Sequence, residues 1–325
     1  MIISRSPLRI SLGGGGTDLP SYYKKFGGYL IAGSINKYVY ISLAKTFNKK
    51  FILKYSKNEE VKNIGNIKHP IFRETLRYLN IKTPLNISSH ADIPAGTGLG
   101  SSGCFTVSLI KALTCFASTK ITNKKIAEIA SEIEISILKE PVGKQDQYTA
   151  TYGGINEYIF HKDGFVEVQK LKLKSDIIKK LQKNLVIYFT GYSRKSSKIL
   201  VTQNNLTISC NNIMVENLHE VKELAYNAKR YLLKGDLDSF ANLMDIHWEL
   251  KKKRSKFMTN KKINYIYDFA KSHGALGGKL VGAGGGGFLI FYSNNPLYLK
   301  KKLSSIGLSE VDFKFDFEGT KIITI

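Results

Sequence analysis

Apolar residues over the first half of the chain fall into short runs and helical repeats, and this pattern predicts several strands and two helices. The runs PLRISL, YVYISLAKTF and Pro84–Ile93 are rich in β-branched and aromatic residues, which favours strands. After a glycine-rich stretch, apolar residues recur at helical spacing between positions 104 and 117. A second helix is predicted from a cap at Thr122 or Asn123 up to Pro141, which stops it.

The second half of the chain begins near residue 184 with the apolar run Leu185–Phe189, which predicts a buried strand. Helices are predicted over about 211–234, 237–252 and 260–273. The late segment GGKLVGAGGGGFLIFYS predicts a strand, a glycine turn and a second strand, with the terminal KIITI as its expected partner. A chain of 325 residues exceeds one typical domain, so we predict two α+β domains, residues 1–183 and 184–325.

Composition narrows the class of protein. Hydrophobic residues make up 43% of the chain, which is enough to form cores. No apolar run approaches the length of a membrane span, and the first residues lack a signal-peptide core. Cys104, Cys115 and Cys210 lie far apart and the histidines are isolated, which argues against disulfides and a zinc site. We expect a cytoplasmic protein without a membrane partner; no pattern indicates an oligomeric state.

The net charge of +23 could indicate a nucleic-acid surface. The excess is mostly lysine scattered along the chain, with local runs at Lys170–Lys174 and Lys251–Lys256. No aromatic RNA-binding signature accompanies these lysines. We therefore interpret both runs as solvated surface and expect no nucleic-acid partner, and a basic nucleic-acid-binding protein is the alternative from a different class.

The stretch IPAGTGLGSSG between a predicted strand and a predicted helix is the strongest local signal. It lacks the lysine of a Walker A loop, and it fits the dinucleotide pattern G-x-G-x-x-G without the second strand and acid that such a unit needs. The signatures of protein kinases are also missing. Glycines here let backbone amides converge on one anion at the start of a helix, where Ser101 and Ser102 could reach a phosphate or magnesium. A tight turn would need fewer glycines, so phosphate binding is favoured.

Three motifs resemble those of the GHMP small-molecule kinases, in the family's order and across nearly the whole chain. PAGTGLGSSG resembles the second motif, Pro7–Tyr23 the amino-terminal one and Lys279–Phe291 the carboxy-terminal one. The forms RISLGGGGTDLP and Val142–Asn156 look most like the bacterial heptose 7-phosphate kinases, and fucokinase-type sugar kinases share similar motifs.

The resemblance implies a two-domain GHMP kinase fold with a ferredoxin-like carboxy-terminal domain. It also implies ATP-dependent phosphorylation of the anomeric hydroxyl of D-glycero-D-manno-heptose 7-phosphate, early in nucleotide-activated heptose synthesis for a surface glycan. Another sugar kinase, such as a fucokinase-type enzyme, is the alternative within the class. The implied partners are ATP, magnesium and a small sugar phosphate.

Glu134 is the candidate carboxylate for magnesium. At 100° per residue it lies beside Ile133, nearer the apolar stripe of its predicted helix than Glu128 or Glu132. A half-buried acid there would face the packed glycine loop. The resemblance selects the same residue. The Ser102 hydroxyl can supply a second protein oxygen.

The acceptor side centres on GKQDQYTA, where Asp146 follows the predicted helix stop on a loop. The resemblance assigns Asp146 to the attacking hydroxyl, as general base or orienting group, and Arg9 to the cation that pairs with it. Asp18 has two open interpretations: the N-cap of a short helix over Leu19–Tyr23, or a sugar ligand.

The remaining candidate residues follow from the motifs. For ATP, the predicted binding residues are Pro94, Ala95, Gly96, Thr97, Gly98, Leu99, Gly100, Ser101, Ser102 and Gly103. For the substrate, they are Gly15, Gly16, Thr17, Asp18, Arg194, Gly284 and Gly285. Arg194 is chosen to meet the remote phosphate because it follows the buried strand Leu185–Phe189 in a polar loop at the domain boundary.

Overall fold

Two sheets and the helices packed on them make up the structure, a computed structural model that describes residues 1–191 and 197–324. The strands are β1 (Ile2–Gly13), β2 (Gly28–Lys45), β3 (Phe51–Lys54), β4 (Asn58–Val61), β5 (Leu85–Ala91), β6 (Ile155–Phe160), β7 (Val166–Lys170), β8 (Leu185–Phe189), β9 (Gly277–Leu280), β10 (Phe288–Tyr292), β11 (Ser309–Glu310) and β12 (Lys321–Thr324). The helices are α1 (Pro20–Phe26), α2 (Pro70–Tyr78), α3 (Ser101–Phe116), α4 (Asn123–Ser131), α5 (Gln145–Tyr152), α6 (Ser175–Asn184), α7 (Ser197–Ile208), α8 (Asn212–Lys234), α9 (Leu237–Lys252), α10 (Lys261–Ser272) and α11 (Pro296–Ser305). A 3₁₀ turn spans Ile64–Asn66, and a π-helical segment spans Glu132–Ile137. This content confirms the predicted α+β class.

The larger sheet has eight strands, in the order β12-β1-β2-β5-β3-β4, with β6 beside β2 and β7 beside β6. Strand β2 is long enough to pair with β6 through Gly28–Gly33 and with β5 through Val39–Lys45. Most neighbours are antiparallel, and β3 with β5 is a parallel pair. Strand β1 pairs with β2 along nearly its whole length and lies between β2 and β12. The part of the amino-terminal motif that begins at Pro7 in β1 is therefore inside the sheet.

Helix α3 covers this sheet and confirms the helix predicted after the glycine stretch. Its apolar side chains, including Val107, Leu109 and Ile110, are fully buried. The next predicted helix is interrupted: α4 ends at Ser131, and the chain continues as the π-helical segment. There the amide of Leu138 donates to the carbonyl of Ile133, a wider i→i+5 turn. Periodicity at 100° per residue does not distinguish such a turn from an α-helix.

The smaller sheet has the strand order β11-β8-β10-β9, and every neighbouring pair is antiparallel. Numbered along the chain, this order is 4-1-3-2. Helices α7 to α10 connect its first two strands, and α11 connects the last two. This is the β-α-β-β-α-β arrangement of ferredoxin-like folds, which confirms that prediction.

The predicted partner of the C-terminal strand was wrong. β12 pairs with β1 in the larger sheet, where Ser4 lies opposite Ile322, and not with the late β9–β10 hairpin. A β-branched run identifies a strand, but its partner depends on which sheet edge is free nearby. The chain therefore returns to its first domain at the end, and the boundary at 183/184 remains a prediction.

The strand β8 is covered on both faces, as a continuous apolar run requires. Leu185 and Ile187 belong to the main core cluster, which also includes side chains of β1 and α3. Val186 and Tyr188 point to a second cluster formed with α10 and α11. The main core is therefore continuous from the larger sheet to the smaller one. Among the described residues, no helix has the length and apolar character needed to cross a membrane.

Candidate active site

The predicted phosphate loop joins β5 to the first turn of α3. Gly96, Gly98 and Gly100 have φ values of 79°, 88° and 84°, in the left-handed region that favours glycine. A Cβ on Gly98 would lie 2.7 Å from the carbonyl oxygen of Val281. No side chain among the described residues caps the N-terminus of α3. Its free amides and positive dipole end are therefore available to an anion.

Arg9 and Asp146 form an ion pair against this loop. The Arg9 Nε donates to Asp146 Oδ1 at 2.8 Å, and its Nη1 donates to the carbonyl of Gly98 at 2.6 Å. The Arg9 side chain is 7% exposed, whereas that of Asp146 is 29% exposed. The cation is thus a buried support, and the carboxylate keeps one side open to the cleft. A Cβ on Gly100 would lie 3.1 Å from Asp146 Cγ, so the pair packs directly under the loop.

Asp146 was predicted on a loop, and this placement was wrong. It lies in the first turn of α5, where the positive end of the helix dipole favours a carboxylate. The same helix positions Gln147, the residue after Asp146. Its Nε2 donates to Glu134 Oε1 at 3.0 Å, which connects the two acidic positions.

Glu134 lies behind the phosphate loop. Its Oε2 accepts a hydrogen bond from Ser102 Oγ at 2.7 Å, in the first turn of α3. The side chain is buried, and burial raises the pKa of its carboxyl. Glu132 is exposed and accepts from the hydroxyl of Tyr78, so the contrast expected between these two acids holds.

These two oxygens suit magnesium. No group of three or more His, Cys, Asp or Glu side chains in the described ranges could hold a metal ion. Magnesium commonly takes one or two protein oxygens and completes its shell with water and phosphate oxygens. The Ser102 hydroxyl and Glu134 carboxylate, beside the predicted phosphate loop, fit that pattern.

Asp18 faces the same cleft. Its carboxylate accepts from the amides of Gly16 and Gln145, both at 3.1 Å. A Cβ on Gly143 would overlap this carboxylate, so the bare backbone there permits the contact. Burial raises the pKa of Asp18, and the charge of Asp146 adds to the effect. The N-cap interpretation was wrong, since Leu19 occupies the cap position of α1 without a side-chain bond.

The carboxy-terminal motif forms the turn between β9 and β10. A Cβ on Gly282 would overlap the backbone of Gly98, so the second and third motifs touch through bare backbone. Gly284 lines the cleft. Gly285 does not line it, and its amide instead donates to the carbonyl of Met258 at 2.9 Å.

The structure thus divides the predicted site residues into three groups. Those lining the cleft are Arg9, Gly15, Gly16, Asp18, Gly96, Gly98, Gly100, Ser101, Ser102, Asp146 and Gly284. Those behind or beside it are Thr17, Pro94, Ala95, Thr97, Leu99, Gly103, Glu134 and Gly285. Thr17, for example, is buried and its hydroxyl donates to the carbonyls of Gly14 and Tyr29. Arg194 lies outside the described residues.

The interpretation of Lys251–Lys256 as solvated surface was wrong for two of its residues. Lys251 and Arg254 are buried and line the cleft, together with Lys279, His247 and Gln203. The signal was present in α9: Met244, His247, Trp248 and Lys251 share one helical face, and all four are buried. The lysine at the end of that stripe therefore points inward with its apolar neighbours.

Comparison with known proteins identifies the family. The family model described as "GHMP kinases N terminal domain" matches residues 65–154, and the model described as "GHMP kinases C terminal" matches residues 228–302. The D-glycero-alpha-D-manno-heptose 7-phosphate kinase of Campylobacter jejuni is 33% identical, over 98% of each chain. A mevalonate kinase of Methanocaldococcus jannaschii is 31% identical, over 73% of this chain and 72% of its own.

The fold comparison agrees with the sequence comparison. A crystal structure described as a D-glycero-D-manno-heptose 1-phosphate kinase from Bacteroides thetaiotaomicron superposes with a TM-score of 0.83. It is 26% identical and covers 100% of this chain and 99% of its own. Motifs, fold and full-length similarity agree, and the chain belongs to the GHMP kinase family.

Proposed function

We propose that this protein transfers the γ-phosphate of ATP to the anomeric hydroxyl of D-glycero-D-manno-heptose 7-phosphate and produces the 1,7-bisphosphate. The observation that carries the proposal is the Arg9–Asp146 pair, which packs under a phosphate loop at the N-terminus of α3. The full-length similarity to a heptose 7-phosphate kinase supports the choice of acceptor.

In this reaction the acceptor hydroxyl oxygen forms a bond to the γ-phosphorus, the bond from that phosphorus to the ADP oxygen breaks, and ADP leaves. The amides of Gly96–Ser102 hold the donor phosphates. Asp146 accepts a hydrogen bond from the attacking hydroxyl and receives its proton as the new bond forms. Arg9 fixes the orientation of the carboxylate through Nε.

Asp18 binds sugar hydroxyls beside Asp146, since its carboxylate accepts from the amide of the adjacent Gln145. Its two backbone hydrogen bonds hold the carboxylate in place, which leaves its remaining acceptor positions for the substrate. Such a fixed acceptor aligns the anomeric hydroxyl with Asp146, because a small misplacement of the reacting atoms costs much of the rate.

Ser102 and Glu134 would hold magnesium beside the donor phosphates. When bound, the ion neutralises phosphate charge as the γ-phosphoryl group is transferred. Glu134 is in turn positioned by Gln147, one residue from Asp146, so the metal side and the acceptor side share α5 as a common support.

The product would serve nucleotide-activated heptose synthesis for a surface glycan. An anomeric phosphate is the group that a nucleotidyltransferase would use in a later activation step, after the remote phosphate has been removed. The described relatives differ in the phosphate that their names place on the heptose, at position 7 or position 1. The proposal takes the 7-phosphate as acceptor.

The proposal is tested with magnesium-ATP and a panel of acceptors: the heptose 7-phosphate, the heptose 1-phosphate, unphosphorylated heptose, fucose and mevalonate. We expect turnover of the 7-phosphate, with a product identified by mass and by its anomeric proton and phosphorus NMR signals as the 1,7-bisphosphate. Preferential turnover of fucose or of the 1-phosphate would contradict it. Salt-dependent retention on RNA without ATP turnover would instead support the nucleic-acid alternative.

A further inference from the structure

A cluster of buried cations lies beside the first glycine motif. Lys251, Arg254 and Lys279 are each 6% exposed or less. None of them forms an ion pair with any acid in residues 1–191 or 197–324. A buried charge without a partner is strongly unfavourable, and cations at such positions are retained where a ligand compensates them.

The cations also repel one another. Burial lowers the pKa of Lys279 to about 7, and the charges of Arg254 and Arg9 contribute. Burial lowers the pKa of Lys251 well below its usual value, again with contributions from Arg254 and Lys279. His247 has a pKa well below its usual value and is neutral, so it can accept the hydrogen bond from Lys279 Nζ at 3.3 Å. A bound anion would therefore favour the charged forms of both lysines.

Unused hydrogen-bond donors converge at one place next to these cations. Arg254 Nη2, Gln203 Nε2 and Ser11 Oγ are buried and have no partner among the described residues. Arg254 Nη1 and Gln203 Nε2 lie 2.7 Å and 2.9 Å from the position that a Cβ on Gly16 would take. Ser11 Oγ lies 3.2 Å from the corresponding position at Gly15. Buried polar groups are normally hydrogen-bonded, so three orphans around one dipeptide indicate a missing ligand.

Hydrogen bonds hold the Arg254 guanidinium in a fixed orientation. Arg254 Nε donates to Asn217 Oδ1 at 2.8 Å, and Nη1 donates to the carbonyl of Gly15 at 3.1 Å. Asn217 is anchored in turn, because its Nδ2 donates to the carbonyl of Leu250 at 2.7 Å. Two edges of the guanidinium are thus used for positioning, and the Nη2 edge remains for a ligand.

The cluster uses other groups than the predicted phosphate loop does. That loop has its own backbone amides at the start of α3, and no side chain in the described part of the chain caps them. Arg254 instead contacts the loop of Gly15 and Gly16, which leads directly to Asp18 on the acceptor side. A kinase cleft with two independent anion sites suits an acceptor that already carries a phosphate.

We propose that Arg254, Gln203 and Ser11, with Lys279 and Lys251 behind them, bind a phosphomonoester already present on the acceptor. A phosphate dianion balances more of the cationic charge than a carboxylate would, and its three oxygens can satisfy the three orphan donors. This inference rests on the proposed function for the identity of the acceptor, and it assigns to Arg254 the task that the sequence suggested for Arg194.

The first test measures binding without catalysis, using inorganic phosphate as the probe. We expect phosphate to raise the melting temperature of the native protein more than chloride does at equal ionic strength. Arg254→Gln should lose most of this gain. Lys253→Gln, an exposed neighbour in the same run, should keep it. If Arg254→Gln does not fold, Gln203→Glu serves instead, because it places a carboxylate of nearly the same size against the anion.

The second test measures kinetics with the heptose 7-phosphate. Loss of a charge-assisted bond predicts a KM for this acceptor about 10- to 100-fold higher in Arg254→Gln, with the KM for ATP nearly unchanged. Unphosphorylated heptose should be used equally poorly by both proteins. A higher KM for ATP with an unchanged acceptor KM would place the cluster on the donor side and overturn the inference.

The two proposals fail in different ways. If the native protein turns over the 7-phosphate but phosphate binding and acceptor KM do not depend on Arg254, the function stands and the anion site is wrong. If Arg254-dependent phosphate binding occurs without turnover of the 7-phosphate, the site stands and the acceptor must be another phosphomonoester.

Discussion

The cleft contains two regions suited to anions, and they are built in opposite ways. Around Gly96–Ser102, the groups available to an anion are backbone amides at a helix start, and the glycines permit φ values near 80° to 90°. Around Gly15–Gly16, side chains from distant parts of the chain converge, among them Gln203, Arg254 and Lys279. The first region is local in sequence, and the second exists only after the two domains have packed together.

This contrast explains why one region has a sequence signature and the other does not. A backbone site requires particular residues at consecutive positions, so it leaves a motif. A side-chain site requires only that suitable groups arrive at one point, and their positions along the chain are unconstrained. Arg9 lies close to both regions: it donates to Gly98, and its charge lowers the pKa of Lys251 and Lys279.

The largest expected effect is at the pair that lies between the two regions. Asp146→Asn should fold and bind ATP but lose about 10²- to 10⁴-fold in kcat, because the amide cannot receive the hydroxyl proton. Steady-state kinetics and circular dichroism check this, with the exposed Asp268→Asn as control. Near-normal turnover in the folded variant would remove Asp146 from the reaction and leave the two regions without a common centre.

Gly98→Ala should damage the backbone region selectively. The new Cβ would press on the carbonyl of Val281 at 2.7 Å, and a displacement of the loop should lower kcat/KM for ATP about 100-fold. Gly307→Ala is the matched control, since Gly307 also has a positive φ of 77° but nothing lies within 4 Å of its added Cβ. Both variants should lose about 1–2 kcal/mol of stability from the backbone conformation. Equal ATP kinetics in the two would argue against the loop as the donor site.

Glu134→Gln and Ser102→Ala should each raise the magnesium concentration needed for half-maximal rate, by about 10-fold. Each change removes or weakens one of the two hard oxygens beside the phosphate loop. Glu132→Gln, on an exposed neighbour, should leave the requirement unchanged. A magnesium titration at saturating ATP gives the values. Similar behaviour of the Glu132 and Glu134 variants would mean that burial behind the loop is not what selects the metal ligand.

The smallest effect concerns stability and tests the side-chain region. Lys279 has a pKa of about 7 in the folded chain and an ordinary value of 10.5, so between these pH values the unfolded chain binds more protons. Its contribution to the free energy of unfolding therefore rises with pH across this window. In the native protein we expect this slope to appear as a melting temperature a few degrees higher at pH 9 than at pH 6.5. Lys279→Met should remove the difference.

Lys253→Met, on an exposed lysine of the same run, should keep the native pH dependence. Bound phosphate should also flatten the slope in the native protein, because an anion beside Lys279 keeps the ammonium charged. A native slope equal to that of Lys279→Met in the absence of phosphate would show that the folded chain does not lower the pKa of Lys279.

Local pattern was sufficient for much of the fold. The helix after the glycine stretch, the doubly covered strand Leu185–Phe189 and the late β9–β10 hairpin all follow from the spacing of apolar residues. The π-helical turn at Glu132–Ile137 and the return of β12 to β1 did not follow. One depends on a hydrogen-bond shift of a single residue, and the other on which sheet edge was free.

Within the cleft the same division holds. By itself the sequence determined the glycine loop before α3 as the candidate phosphate loop, because a motif records local backbone requirements. The resemblance of its motifs to the family supplied the candidate roles of Arg9 and Asp146. Only the tertiary structure decided that Arg254 is buried and Lys253 exposed, although both belong to one lysine-rich run. The charges in a sequence do not show which side chains of such a run face the protein interior. That orientation is set by packing of α9 against β9 and by Asn217, which arrives from another helix to hold the guanidinium in place.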